Sequence, residues 1–274
     1  MNWMAKNSVF RAFKRRLLPD SRHLVALWTL LGREIYRFMR IWPQTILPAA
    51  VTTSLYYLIF GELIGARIGP MEGIDYLDYI VPGISLMSII TNAYSNVVSS
   101  FYSSKFQKNI EELISAPVPS WVILCGYVGG GVFRGFVVGL AVTGIGVAFA
   151  GAQFAHPEII ALVFLLTAVL FALAGLINAI FANSFDDISI VPNFVLTPLV
   201  YLGGVFYSVD LLPAFWRQVS LGNPILYMVN AYRYGFLGQS DLPVGPSLWL
   251  IGSVLFALGA WAYWLLETGS RLRN

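Results

Sequence analysis

Residues 120–150 read SWVILCGYVGGGVFRGFVVGLAVTGIGVAFA, and this run contains a single charged side chain, Arg134. A helix that crosses a bilayer needs about 20 mainly apolar residues, so the run is long enough to span a membrane. It does not show the short, alternating pattern of membrane β-strands, which are about 10 residues long. Because backbone polar groups in hydrocarbon must be bonded internally, the run predicts a transmembrane α-helix.

Five further runs have the same character, and the whole chain is apolar. The 274 residues are 57% hydrophobic and 11% charged, with a mean hydropathy of +0.71, which is too apolar for a soluble domain. We therefore predict an all-α polytopic membrane protein with one six-span membrane domain, residues 41–274, after a basic N-terminal region, residues 1–40. The six candidate spans are residues 41–60, 79–104, 120–150, 157–182, 188–207 and 244–267.

Basic residues are concentrated on one side of the predicted membrane. Thirteen of the 17 Lys and Arg residues lie in residues 1–40, in the loop after the second span or in the C-terminal tail. The opposite side has Arg67, Arg217 and Arg233. Since cationic loops stay in the cytoplasm, both termini are predicted to be cytoplasmic, with residues 61–78 and 208–242 outside.

The segment HLVALWTLLGREIYRFMRIW, residues 23–42, is both apolar and basic. It predicts an amphipathic helix that lies along the cytoplasmic headgroups. The alternative, an early start of the first span, is disfavoured by Pro43 and by the arginines. The apolar stripe comprises Leu24, Leu27, Trp28, Leu31, Ile35 and Phe38, and the basic face comprises Arg33, Arg37 and Arg40.

The segment KFQKNIEELISAPVPSW, residues 105–121, interrupts the apolar runs with a second amphipathic pattern. Pro117 and Pro119 end the predicted helix, since proline lacks an amide proton and disfavours helix in the preceding residue. Two interpretations remain open, a docking surface and a solvated turn. The apolar stripe is Phe106, Ile110, Leu113 and Ile114, and the charged positions are Lys105, Lys108, Glu111 and Glu112.

Two segments resemble the permease subunits of type-2 ABC exporters, which include export permeases for surface polysaccharides, nodulation factors and drugs. They are FYSSKFQKNIEELISAPVPSWVILCGY, residues 101–127, and PLVYLGGVFYSVDLLPAFWRQVSLGNPILYMVNAYRYGFLG, residues 198–238. The resemblance implies that residues 105–119 form a coupling helix that docks on a cytoplasmic ATPase. The implied coupling residues are Lys105, Phe106, Lys108, Asn109, Ile110, Glu111, Glu112 and Leu113.

The ATPase must be a separate chain. A phosphate-binding loop requires G-x-x-x-x-G-K-[ST], and the glycine-rich run GYVGGGVFRG, residues 126–135, lacks that ending. Its glycines instead predict close helix packing. The resemblance implies a transport subunit of the bacterial inner membrane that binds no cofactor or metal, while the partner binds ATP and Mg²⁺. It also implies two ATPase copies and a second permease copy, in contact with membrane lipids and without nucleic acid.

The second predicted span has a face rich in hydroxyl and amide groups. Such groups either hydrogen-bond between helices or line a pathway, and both interpretations stay open. Arg134 must face protein or water, because a charge at the centre of a span is costly. The candidate pathway residues are Ser88, Asn92, Ser95, Asn96, Ser99 and Arg134.

Two connections carry further predictions. Residues 208–242 contain aromatic, proline-broken amphipathic stretches, which with the family resemblance predict a re-entrant helical hairpin outside; an ordinary loop is the alternative. The connection NSFDD, residues 183–187, places Asp186 and Asp187 where they can cap the next helix. A second ATPase contact is the minor alternative there.

A different class, an intramembrane serine protease of rhomboid type, has one feature in its favour. The motif GISL, residues 83–86, places Ser85 in a span. A nucleophilic serine needs a base, but the two histidines are His23, before the first span, and His156, at an outside turn. The protease is therefore disfavoured, as is a passive channel, which requires rings of charge or carbonyl groups.

Overall fold

The computed structural model describes residues 21–71, 73–151 and 154–269, and these residues are predominantly helical. The basic residues before Ser21, together with Arg271 and Arg273, lie outside the described ranges, so the predictions made for them have no structural counterpart here. The helices are α1 (Ser21–Arg40), α2 (Trp42–Ile68), α3 (Tyr76–Phe106), α4 (Asn109–Ser115), α5 (Ser120–Ala150), α6 (Pro157–Phe181), α7 (Asp187–Tyr201), α8 (Ala214–Leu221), α9 (Pro224–Leu237) and α10 (Val244–Thr268).

Four described helices are long and apolar enough to cross a membrane by length and composition. They are α2, α5, α6 and α10, which coincide with the first, third, fourth and sixth predicted spans. Helix α3 has the same length as α5, 31 residues, but it is more polar. Helix α7 is shorter and contains a π-helical segment, Pro192–Leu196.

Helix α3 is the central helix of the bundle and packs against α5 and α6. Its neighbours surround it closely enough that most of its side chains are buried. A polar residue in such a position meets protein rather than lipid, which explains why α3 can be more polar than α5 and α6 and still lie among apolar helices.

The glycines of α5 form its contacts with two neighbouring helices. A Cβ atom on Gly130 would lie 2.5 Å from Glu34 Cβ of α1, and one on Gly131 would lie 2.5 Å from Val97 Cγ2 of α3. Gly126 similarly faces Leu30 of α1. The prediction that this run permits close helix packing is confirmed.

Helix α1 is amphipathic, but its buried side differs from the predicted apolar stripe. Leu30, Glu34 and Phe38 are buried against α5, whereas Trp28 is exposed. The difference has a physical cause: a carboxylate can be buried where arginines of the same helix neutralise it. The structure thus shows α1 packed on the bundle, and its predicted position along the headgroups stays a prediction.

Residues 208–242 contain two helices, α8 and α9, joined by a short turn. Asn223 begins α9 by accepting a hydrogen bond from the Ile225 amide at 3.0 Å. Helix α9 is largely buried, whereas α8 exposes Phe215 and Trp216. Two helices are therefore present where the hairpin was predicted, and a re-entrant hairpin stays a prediction.

Arg233, predicted to lie outside, is buried within this region. Its side chain is 2% exposed, lies over the Tyr79 ring at 3.8 Å and donates to the Gly204 carbonyl at 2.6 Å. These contacts join α9 to α3 and to the turn after α7. Arg233 is thus a structural residue and is not part of a solvated loop.

Candidate functional sites

Helix α4 and the residues before it form the short connection between α3 and α5. Lys108, at the start of α4, has φ +62°, a left-handed backbone conformation that is uncommon for residues other than glycine. This conformation turns the chain sharply after Phe106. The predicted short helix is present, and α5 begins at Ser120, directly after the two prolines.

The apolar side of α4 faces the rest of the helical bundle. Ile110 is 1% exposed and belongs to the hydrophobic core, and Leu113 packs against that core. The exposed side carries Asn109, Glu111 and Glu112. The sequence periodicity located the apolar stripe but could not determine which body it contacts.

Lys105 ends α3 with a contact to a different helix. Its Nζ donates hydrogen bonds to the carbonyl oxygens of Ile180, at 2.7 Å, and Ala182, at 2.8 Å. These carbonyls lie at the C-terminal end of α6, where a cation is favoured by the helix dipole and by the unpaired carbonyls. Lys105 therefore connects α3 to α6, whereas the sequence placed it among the outward-facing charges.

Two exposed aromatic side chains lie beside α4. Phe106 is 64% exposed and Phe185 is 49% exposed, and their rings are 5.1 Å apart in an edge-on contact. Next to them is a cavity of about 220 Å³ whose lining includes Lys108 and Glu111. We call this region the α3–α4 surface; its exposed members are Phe106, Lys108, Asn109, Glu111, Glu112 and Phe185.

The connection from α6 to α7 is closed by reciprocal hydrogen bonds. The Asp187 carboxylate accepts from the backbone amides of Asn183, at 2.8 Å, and Ser184, at 3.2 Å, and the Ser184 hydroxyl accepts from the Asp187 amide. The bond from the Asn183 amide is the largest cause of a lowered pKa of the Asp187 carboxyl. The predicted caps of α7 by Asp186 and Asp187 are not observed: Asp186 makes no side-chain cap bond, and the Asp187 carboxylate accepts from amides that precede the helix, so Ser184 provides the bond to the first amide of α7.

A second candidate site is a groove between α2, α3 and α5. Its volume is about 330 Å³. Arg134 projects into it and donates from Nε to Asn92 Oδ1 at 3.3 Å. Its lining comprises Gln44, Thr45, Pro48, Ala49, Thr52, Thr53, Tyr56, Ile84, Met87, Ser88, Thr91, Asn92 and Arg134.

The structure divides the predicted pathway residues into two groups. Ser88, Asn92 and Arg134 line the groove together, whereas Ser95, Asn96 and Ser99 are not among its lining residues. Asn96 is buried, and its side-chain oxygen accepts from Arg37 at 2.8 Å. The Ser99 hydroxyl donates to the Asn96 carbonyl of its own helix.

Glu34 is a residue that the sequence analysis missed. Its side chain is 1% exposed, and its two oxygens accept from Arg33 and Arg37, each at 3.2 Å. Arg33 also donates to the Tyr127 hydroxyl at 2.8 Å. The available signal was a lone acid within a basic helix, at the spacing that allows an ion pair with Arg37 three residues later.

The serine protease interpretation has no support in the geometry. Ser85 is fully buried. His23 packs edge-on against Trp121, and the His156 ring stacks on Tyr234 at 4.8 Å. Neither histidine of the chain is placed to take a proton from the serine.

The comparison with known families decides between the remaining interpretations. A family model described as ABC-2 type transporter matches residues 25–237, which include α2 to α9 and most of α1. The chain belongs to the ABC-2 type transporter family. This confirms the resemblance inferred from residues 101–127 and 198–238, and it identifies the molecule as an ABC-2 permease, a membrane transport protein.

Individual relatives agree with this assignment. The permease is 55% identical over 252 residues to the inner membrane transport permease YadH of Escherichia coli K12, covering 91% of this chain and 98% of that one. It is 25% identical over 189 residues to Nodulation protein J of Rhizobium leguminosarum bv. viciae, covering 68% and 72%. It is 22% identical over 243 residues to Nodulation protein J of Rhizobium meliloti, covering 86% and 90%.

Proposed function

We propose that this permease is the membrane subunit of an ATP-driven exporter in the bacterial inner membrane. It moves an amphipathic or lipid-linked substrate outward, while a separate ATPase chain binds ATP and Mg²⁺. The observation that carries the proposal is the family match over residues 25–237. The inner membrane location is supported by the printed name of the relative that is 55% identical.

The proposed topology has six spans, with α3 as the second and residues 188–207 as the fifth. At a rise of 1.5 Å per residue, α3 is roughly 46 Å long, more than the hydrocarbon core of about 30 Å. Its polarity is acceptable because α5 and α6 cover it. Both termini are cytoplasmic, and the α8–α9 hairpin re-enters the outer side, where α9 is covered by protein.

The α3–α4 surface is the proposed ATPase contact. Since Ile110 is buried in the permease, the partner meets the exposed Phe106 and Phe185 rings with a charged rim of Lys108, Glu111 and Glu112. An apolar centre with a polar rim is the usual anatomy of a protein interface. Because Lys105 joins α3 to the end of α6, a movement of this surface is transmitted to two spans.

We also propose that two permease copies act together, each with one ATPase copy, and that the pathway lies between them. Helix α2 supports this arrangement because it buries little of its surface within one copy. Leu47 and Val51 of α2 and Phe194 of α7 are all exposed. Lipids or a second copy must cover these side chains in the membrane.

Reversal of two charges tests the ATPase contact. Glu111→Lys combined with Glu112→Lys places two cations at the rim, and we expect weaker co-purification of the ATPase or ATP hydrolysis without transport. One exposed ion pair is worth about 0 to 1 kcal/mol, so a single substitution should be tolerated. The matched control is Glu62→Lys with Glu158→Lys, two exposed acids far along the chain from α4, which should leave assembly unchanged.

A cysteine at position 109 gives an independent measurement. In a Cys125→Ser background, Asn109→Cys should cross-link to the ATPase and should resist labelling from the periplasm in intact cells. Labelling from outside would refute the topology. Unchanged assembly, hydrolysis and transport in the double variant, together with no cross-link, would show that this segment is a solvated turn.

A further inference from the structure

The region beside the groove carries more positive charge than its described residues neutralise. The region contains three guanidinium groups, those of Arg33, Arg37 and Arg134, and one carboxylate, that of Glu34. Both oxygens of Glu34 are occupied by Arg33 and Arg37. Arg134 is in none of the ion pairs within the described ranges, its hydrogen bond goes to a neutral amide, and it is repelled by Arg37.

Arg134 is the cation of this region that faces the groove. It is among the lining residues, whereas Arg33 and Arg37 are not. An anion bound in the groove would supply the counter-charge that Arg134 lacks, and its oxygen atoms would accept hydrogen bonds from the guanidinium nitrogens.

The groove has a polar end and a less polar end. Helices α2 and α3 are antiparallel, since Gly65 and Gly61 of α2 face Tyr76 and Leu77 at the start of α3. Their other ends, with Gln44 and Asn92, therefore lie together beside Arg134. Along α2 the groove extends from Gln44 to Tyr56, which at 1.5 Å per residue is roughly 18 Å.

The far end of the groove has uncharged walls, since Thr52 and Thr53 are its most polar neighbours besides the Tyr56 hydroxyl. Tyr56, Ile84 and Met87 lie there, several residues from the Arg134 contact at Asn92. A free inorganic anion would need only the polar end, whereas a molecule with a charged head and an apolar body matches the whole length. The cavity walls thus favour an amphiphile.

We infer that this groove binds the phosphate-type anionic head group of an amphiphile, with Arg134 as the contacting cation and the apolar body directed toward Tyr56. The inference rests on the proposed transport function, because it takes the bound amphiphile to be the transported molecule. Arginine suits this role because its planar guanidinium presents several donors to phosphate oxygens.

Lipid binding to the full-length permease tests the inference. We would measure retention of phosphatidylglycerol, which is anionic, against phosphatidylcholine with the same acyl chains, which is zwitterionic. The parent should prefer phosphatidylglycerol. Arg134→Gln should lower the affinity of the permease for phosphatidylglycerol about tenfold or more and leave its affinity for phosphatidylcholine unchanged. Arg134→Lys should keep most of the preference, and the control Arg217→Gln, at an exposed arginine, should keep all of it.

Three results would overturn the inference. The first is an equal preference in the parent and Arg134→Gln. The second is displacement by inorganic phosphate as effective as displacement by the lipid, which would indicate a free anion. The third is retention of the same lipid through ATP-driven turnover of the complete transporter, which would indicate a resident lipid.

A folding defect and the absence of the ATPase can both be distinguished from a loss of lipid binding. If Arg134→Gln does not accumulate in the membrane, Asn92→Ala replaces it; this variant removes the amide that orients the guanidinium and should lower the preference severalfold. Lipid retention requires neither ATP nor the ATPase. Failure of the ATPase to co-purify would therefore refute the proposed function while leaving the lipid result interpretable.

Discussion

Replacing a packed glycine of α5 gives a sharp test of the bundle, because the same helix contains a matched control. In Gly131→Ala the new Cβ would lie 2.5 Å from Val97 Cγ2 and 2.9 Å from the Ala93 carbonyl oxygen. Ordinary contacts of a Cβ are 3.4–4 Å. The Val97 side chain can rotate, but the Ala93 carbonyl belongs to the backbone, so α3 and α5 must separate by several tenths of an ångström.

Two opposing contributions determine how much Gly131→Ala changes the free energy of unfolding. Overpacking costs typically about 1–3 kcal/mol, and replacing a helical glycine by alanine returns about 0.5–1 kcal/mol. The difference lies between about 0 and 2.5 kcal/mol, and because the clash at Gly131 involves backbone we expect Gly131→Ala to be destabilised by about 1 kcal/mol or more. Gly144→Ala, where no atom lies within 4 Å of the new Cβ, has only the favourable term and should be neutral or slightly stabilised.

The assay is the fraction of monodisperse permease that remains after heating in detergent. Gly131→Ala should lose its folded form several degrees below the parent, since about 1 kcal/mol shifts Tm by about 2–4 °C for soluble proteins of 150–250 residues. Gly144→Ala should match or exceed the parent. Equal midpoints for the two variants would show that α3 and α5 are not in the close contact described here.

Three further predictions concern charged residues. Glu34→Gln leaves the arginines of α1 without their carboxylate and should destabilise the permease by about 2 kcal/mol in the heating assay. Breaking a fully buried ion pair costs about 3–5 kcal/mol, and the cost here is smaller because the arginines are partly exposed. Lys105→Met should lower ATP-coupled transport while ATPase binding remains, because α3 loses its connection to α6. The control Arg67→Met removes an exposed cation outside the α3–α4 surface and should transport normally; equal transport by the two variants would disprove the connection. Asp187→Asn should lower Tm at neutral pH, but the parent's advantage should disappear as pH falls through the ordinary aspartate pKa of about 3.9 toward the lowered one; an advantage that persists in acid would mean that the carboxylate charge is not its cause.

Several features of the structure can be predicted from local sequence patterns. Helical membrane structure follows from apolar runs that are too long for strands, and the boundary of α4 follows from Pro117 and Pro119. The close-packing role of the α5 glycines follows from residue chemistry alone. Membership of the ABC-2 family was foreseeable from two segments, because their motifs are specific.

The sequence by itself determined which segments are helical and which of their faces are apolar, since both depend on residues within a few turns of one another. Only the tertiary structure decided what those faces contact. Ile110 turns toward the permease, Lys105 reaches the end of α6, and Glu34 is buried between arginines against Gly130. Arg134 meets Asn92 across 42 positions of the chain. Such contacts depend on how separate helices pack, and helical periodicity carries no information about the partner helix.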